Sequence, residues 1–357
     1  MIAGHAVRGG RHGVVLAVDG GNFKTDLALL DASGRLLSLV RGGGSSIHYL
    51  GLDGCVEVLE SLLESAIARA GLDTLDRRIA STAQLLLAGA DLPEELRALR
   101  ARVEQLDWTE RLVIDNDTVA LLRAGTDRGW GVAVVCGAGS NCIGVAADGR
   151  QVRFPSLGDI TGDWGGGNDI GLAALGAAAR SADGRGRRTV LETAVPEYFG
   201  LSKPFDVARE LHLREIPMSR LGELAPVVLA VCDHDSVAAG IVRRLTDEVV
   251  AFATASIRRL DLAGVDPDVV LGGGVLQALP PRVIETIAQE IRQVAPNAGV
   301  RVAPSEPIVG AALLGLDALA ADASATARGR AELDAAVANL GETPGSARVP
   351  ANHSGSR

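Results

Sequence analysis

The sequence predicts a duplicated two-domain α/β fold with a helical insertion in its second half, and three observations predict it. A β-branched apolar run ending at a glycine loop opens the chain (VVLAVDGG, 14–21), the same pattern returns at 130–150 (WGVAVVCGAGSNCIGVAADGR), and a long stretch of helical spacing lies in the second half (168–262). A chain of 357 residues suits two domains of ordinary size, each able to bury its own core.

Residues 14–20 form the first strand, and 26–40 (DLALLDASGRLLSLV) two more joined at Ser33-Gly34, giving a three-stranded meander. Apolar positions at helical spacing run through 50–70 and stop before Gly71. A buried strand (83–90), a helix with proline at its start (92–106) and a strand ending in acids (111–117) complete the first half. The second half repeats the plan: strand, glycine loop, strand, Asp-Gly turn and third strand within 130–150. The helical stretch follows, with breaks near Gly184, Gly200 and Pro204, then a strand (268–275), a helix, a strand (299–304) and a closing helix (308–321). The expected organisation is a flexible segment 1–13, domains at 14–115 and 116–321, and a largely disordered tail at 322–357 holding at most a short helix at 329–340.

Composition excludes several classes of function. The formal charge of −9, from 44 acidic against 35 basic residues, comes without a basic run beyond arginine pairs such as Arg77-Arg78 and Arg243-Arg244, so nucleic acid is not an expected partner. Lysine occurs only at 24 and 203, which makes Lys24, inside a glycine loop, stand out. Cys55, Cys136, Cys142 and Cys232 form no C-x-x-C pair, which argues against a zinc site or disulfide framework. No apolar run has the roughly 20 residues needed to span a bilayer, and 1–13 lacks the apolar stretch of a signal peptide. A cytoplasmic protein without membrane contact is expected.

Asp19-Gly20-Gly21-Asn22-Phe23-Lys24-Thr25 lies between two strands, where a tight glycine turn lets backbone N–H groups approach a polyphosphate. It is not a P-loop, because Phe23 precedes the lysine and a strand follows; alone it reads equally as a plain hairpin. Cys136-Gly137-Ala138-Gly139-Ser140-Asn141 occupies the same place in the second half, and the pair is more informative than either loop. A third cluster, Gly272-Gly273-Gly274, ends a strand and suits close backbone approach to an adenine or ribose.

These residues carry a family resemblance. DGGNFKTDLALLD, NDTVALLRAGT, VCGAGSNCIGV, GDWGGGNDIG and VVLGGGV resemble, in that order, the phosphate-1, connector, phosphate-2, sugar-side and adenosine motifs of the N-acetylglucosamine kinase and BadF/BadG/BcrA/BcrD ATPase family, over residues 14–320. The resemblance implies an actin-like ATPase fold of duplicated ribonuclease-H-like domains, and a cleft between them closing on ATP, Mg2+ and acceptor. It implies that Asp117 is the general base taking the proton from the attacking sugar hydroxyl, although Asp117 also reads as a helix N-cap. Asp19 would hold Mg2+ through water. Lys24, Thr25, Gly20, Gly21, Asn22, Gly137, Ala138, Gly139 and Ser140 would bind phosphate, and Gly272, Gly273 and Gly274 the adenosine. Asp163, Asn116, Ser46 and His48 would face the sugar.

The departures bear on the acceptor. Phe23 stands where the family has a small hydroxyl residue, Ile47 where it has a sugar-contacting Asn, and Leu157 near its Trp. The expected reaction is ATP-dependent phosphorylation of N-acetylglucosamine to its 6-phosphate. The alternatives are a related amino sugar, muramic acid or cyclitol as acceptor, and, in another class, a non-catalytic sugar-responsive ATP-binding regulator. A homodimer is compatible with the sequence. The family's iron–sulfur branch needs bridging thiolates, and Cys136 and Cys142, flanking a phosphate loop, suit small apolar packing instead.

Overall fold

The computed structural model describes residues 13–72 and 78–340. They divide into two compact units, one built from residues up to Gly89, Ala98–Ile114 and residues from Ala312 onward, the other from Ala90–Arg97 and Asp115–Ala311.

The first unit holds β1 (Val14–Gly20), β2 (Lys24–Asp31), β3 (Leu36–Gly43), helix α1 (Ile47–Ala70), β4 (Ala80–Leu87), most of α2 (Pro93–Glu104) and all but the last residue of β5 (Thr109–Asp115). The sheet order is β3-β2-β1-β4-β5, with β1 antiparallel to β2 and parallel to β4. Covering helices on both faces explain why VVLAVDG reads as a continuous apolar run: six of its seven residues are buried. The Leu62 side chain of α1 lies 2.8 Å from where a Cβ on Gly42 would stand, so glycine lets helix and strand close up. The sequence places α1 three residues late, because a break at Gly51 (φ 70°, ψ 177°) interrupts its first turn.

In the second unit, α3 (Asp117–Gly125) precedes β6 (Gly131–Cys136), β7 (Ser140–Val145) and β8 (Gln151–Arg153). The insertion follows: α4 (Gly167–Ala182), α5 (Leu191–Tyr198), α6 (Pro204–His212), α7 (Ala225–Val231) and α8 (Ser236–Arg259). Then come β9 (Asp268–Gly272), a single turn α9 (Gly274–Gln277), α10 (Pro281–Arg292), β10 (Gly299–Val302) and α11 (Pro307–Ala318). The sheet order β10-β9-β6-β7-β8, read from its other edge, repeats that of the first unit: an antiparallel meander whose first strand runs parallel to a neighbour on the far side. The duplication expected from two glycine loops is therefore present in the strand order. Val132 and Val134 of β6, Leu175 of α4, and Leu245, Val249 and Phe252 of α8 share one buried cluster.

Two boundaries differ from expectation. The second half of α11 belongs to the first unit, where Gly315 packs against the Val15 side chain, and residues 90–97 belong to the second. The tail is also more ordered than its composition suggested, since α12 (Ala323–Asn339) is a five-turn helix rather than a short one. Asp322 caps it, accepting from Ala325 N at 2.8 Å, and Glu332 Oε2 accepts from Leu36 N at 2.7 Å at the start of β3. Small residues conceal its packing: Gly34 and Gly329 let it lie close to the β2–β3 turn and to Leu30, so no apolar stripe was needed. The expected flexible segment 1–13, save Gly13, and the tail beyond 340 lie outside the described residues. Among the described residues no single helix is long and apolar enough to cross a membrane.

Candidate active site

In the first unit the loop between β1 and β2 is clamped by its own surroundings. Gly21 N donates to Lys24 O (2.8 Å), Ser45 N to Gly21 O (3.0 Å) and Ala88 N to Gly20 O (2.7 Å). A Cβ on Gly20 would stand 2.5 Å from both Leu87 Cδ2 and Ser45 Oγ, so packing alone requires glycine there. Thr25 is fully buried and its hydroxyl donates to Ser45 Oγ at 2.9 Å. The phosphate contact expected of Thr25 is withdrawn on that ground; its hydroxyl braces the loop.

Asp19, Asp26 and Arg41 stand directly opposite one another across β1, β2 and β3. Asp26 is completely buried and accepts from Arg41 Nε (2.6 Å) and Nη2 (2.8 Å), with Lys24 Nζ 3.5 Å away. A buried carboxylate must be paired to be tolerated, and the two-pronged arginine supplies that. Asp19, buried at 7% exposure, is the other carboxylate of this row. Lys24 stays half-exposed, while Asn22 is half-buried and Phe23 exposed.

The second loop is built differently. Gly137 N donates to Gly139 O (2.9 Å), and the first turn of α4 holds the loop's carbonyls, Gly167 N donating to Gly137 O (2.7 Å) and Asn168 N to Ala138 O (3.2 Å). A Cβ on Gly137 or Gly139 would meet no described atom within 4 Å, and neither residue has a left-handed φ. Nothing inside the unit demands glycine at these positions. Ser140 spends its hydroxyl on Trp164 O at 3.2 Å. Gly272 and Gly273 have packing reasons of their own, against Leu121 and the Cys136 backbone, whereas a Cβ on Gly274 would meet open space.

Asp117 opens α3, but the cap is Asn116, whose Oδ1 accepts from Thr118 N (2.9 Å) and Thr118 Oγ1 (2.6 Å). Asp117 is thereby relieved of the capping role that the sequence left open. Burial pushes its carboxyl up to about 6, against the downward pull of backbone N–H groups at Thr118 and at Asp117 itself. Asn116 is itself buried and donates Nδ2 to Asp91 Oδ1 at 2.8 Å, so both ends of its amide are used and the expected sugar contact is withdrawn. Sequence reading missed Asp91, which also accepts from Asn141 Nδ2 at 2.8 Å. It missed too the Arg153–Asp115 pair (2.5 and 2.8 Å) that anchors the strand end before Asp117. No motif announces either, because the partners lie 25 to 50 residues apart in sequence.

Asp163 is part-buried, fixed by the Thr161 hydroxyl and by its own N–H on Gly158 O at 3.0 Å. Beside it the Arg244 guanidinium covers the Trp164 ring at 4.3 Å. In the first unit Ser46 is buried with an Oγ that has no hydrogen-bond partner, while His48 is exposed. A buried hydroxyl without a partner costs stability. Cys136 and Cys142 are buried, and burial drives both thiols up, Cys142 to about 12, so neither acts as a thiolate ligand. A cavity of about 300 Å³ at the end of α2, lined by Arg100, Trp108 and Arg111, includes none of the expected site residues.

The chain is similar to known proteins in sequence and in fold. An N-acetylmuramic acid/N-acetylglucosamine kinase of Clostridium acetobutylicum is 27% identical over 263 residues, covering 73% of this chain and 85% of that protein. An N-acetyl-D-glucosamine kinase of Dictyostelium discoideum is 23% identical over 323 residues, covering 85% and 98%. A crystal structure from Chromobacterium violaceum, described provisionally as an N-acetylglucosamine kinase, superposes with a TM-score of 0.67 at 24% identity, covering 86% of this chain and all of that one. The duplicated sheets are thus those of the actin-like fold. The profile of the BadF/BadG/BcrA/BcrD ATPase family matches residues 16–315, and the chain belongs to that family.

Proposed function

We propose that the chain is an ATP-dependent carbohydrate kinase that phosphorylates an amino sugar, with conversion of N-acetylglucosamine to its 6-phosphate as the leading reaction. The observation that carries this reading is Asp117: a carboxylate at the end of a strand–helix junction, freed from capping by Asn116, with its pKa raised to about 6, close to the working pH of a general base. As the sugar oxygen attacks the γ-phosphorus, its proton passes to Asp117, the new O–P bond forms, and the bond to the bridging oxygen breaks to release ADP. Lys24 offsets charge on the transferring group, and the N–H groups of Ala138 and Gly139 donate to phosphate oxygens, that of Gly137 being held by Gly139 O. Magnesium, when bound with ATP, draws charge from those oxygens, and Asp19 is the residue that would hold it. Ser46 and Asp163 take the sugar hydroxyls. N-acetylmuramic acid is the second acceptor to test, since a relative is named for both sugars.

The test is ADP release from purified protein given ATP, Mg2+ and a panel of N-acetylglucosamine, N-acetylmuramic acid, glucosamine, glucose and cyclitols, with the product identified by phosphorus NMR. Turnover on an N-acetylated amino sugar is expected. Nucleotide binding without turnover on any acceptor would favour a sugar-responsive regulator.

A further inference from the structure

Asp91 lies outside every motif that carries the family resemblance, yet two other segments of the second unit bond to it. Its Oδ1 accepts from Asn116 Nδ2 and from Asn141 Nδ2, each at 2.8 Å. Asn116 is the cap immediately before Asp117. Asn141 is the second residue of β7, directly after Ser140 and the glycine loop; its Oδ1 accepts from Ser156 Oγ (2.6 Å) and Cys142 N (2.7 Å). Asp91 is held in turn through its backbone, because Glu95 Oε2 accepts from Asp91 N (3.0 Å) and Leu92 N (2.8 Å) at the start of α2.

We infer that Asp91 is a positioning residue that sets the base and the second phosphate loop in one register. An amide rotates freely about its last torsion unless both ends are engaged. Asn116 has one end on Thr118 and the other on Asp91, so the turn that presents Asp117 is fixed relative to Asp91. Asn141 has one end on Ser156 and the other on the same oxygen, so the strand leaving the loop is fixed to the same point. Proton acceptor and phosphate donors therefore share a common anchor, as in-line transfer demands of groups that must keep sub-ångström alignment.

This inference rests on Asp117 being the base and on the Gly137–Ser140 loop binding phosphate, and the variants separate the two layers. In steady-state assays of the full chain, Asp91→Ala should lower kcat by about 10- to 100-fold and also raise the ATP KM, because both anchored groups drift. Asp91→Asn, which keeps an acceptor oxygen, should recover most of both. Asn116→Ala should reproduce mainly the kcat loss, and Asn141→Ala mainly the rise in ATP KM. A role confined to folding would lower Tm and leave the kcat and KM of the folded enzyme alone. A folded Asp91→Ala protein with wild-type constants overturns the proposal. Should Asp91→Ala fail to fold, wild-type constants in both asparagine variants overturn it instead. Asp117→Asn is measured alongside: if it is inactive while Asp91→Ala is normal, the positioning role falls and the base stands, and if it turns over normally, both fall.

Discussion

The two glycine loops sit at equivalent places in equivalent meanders, yet they are stabilised by opposite means. In the first unit the loop is wedged by side chains: Gly20 is forced by Leu87 and Ser45, Thr25 is spent on Ser45, and the strands beneath carry a buried row of charge, Asp19, Asp26 and Arg41. In the second unit the corresponding strand positions carry Val135 and Asn141, the anchoring is by amides, and the loop glycines meet nothing. A packed loop tolerates no side chain for reasons of stability. An open loop that is nonetheless glycine is more informative about ligand, because its own unit gives no reason for the choice.

The largest expected effect tests the charged row. Arg41→Met leaves buried Asp26 with only Lys24, and should cost about 3 kcal/mol of stability in chemical denaturation. Ser156→Ala, which removes one hydrogen bond from the neutral counterpart Asn141, should cost only about 1 kcal/mol. Equal losses would erase the contrast between the units.

Next comes Asp117, the proposed base, in the second unit. Asp117→Asn should lower kcat by about 100-fold while leaving ATP affinity intact by calorimetry. In the wild type kcat/KM should fall as pH drops below about 6, the value to which burial raises Asp117, because the base becomes protonated. The stability sign is the reverse of a salt-bridged carboxylate. With the folded pKa raised above the unfolded value, the folded state holds the proton more tightly, so stability declines as pH climbs through the window between the ordinary carboxylate range and about 6. Asp117→Asn should therefore melt at or above the wild type at pH 8, with the gap closing toward pH 4. A variant melting lower at pH 8 would mean that the ionised carboxylate has a stabilising partner.

The glycines sharpen the comparison directly. Gly139→Val should raise the ATP KM by about tenfold or more with Tm unchanged, since its Cβ meets no described atom. Gly20→Ala should lower Tm first, its Cβ standing 2.5 Å from Leu87 and Ser45. Swapped outcomes would reverse the roles assigned to the two loops.

The smallest effect concerns the acceptor. Ile47→Asn restores an amide at a half-buried position one residue after Ser46, and should lower the KM for N-acetylglucosamine by a few-fold, a single hydrogen bond being worth about 1 kcal/mol. Unchanged or weaker binding would show that residue 47 does not face the sugar.

Sequence by itself determined the repeated meanders, the positions of both loops and the candidate base. Each of these is written in local pattern: alternating or continuous apolar runs, glycine at strand ends, an acid at a strand–helix junction. It also suggested roles for Thr25 and Asn116 that the fold reassigns, because a hydroxyl or amide next to a functional residue looks the same whether it faces a ligand or the interior. Thr25 is consumed by Ser45, 20 residues away, and Asn116 by Asp91, 25 residues away. Only tertiary structure decided that Asn116 rather than Asp117 caps α3, that Asp26 is neutralised from the neighbouring strand, that an alanine-rich tail segment packs as a helix, and that one carboxylate outside all motifs anchors two asparagines. The physical reason is common to all four: hydrogen bonds and buried ion pairs are satisfied by whatever donor the fold brings near, and spacing along the chain does not record that proximity.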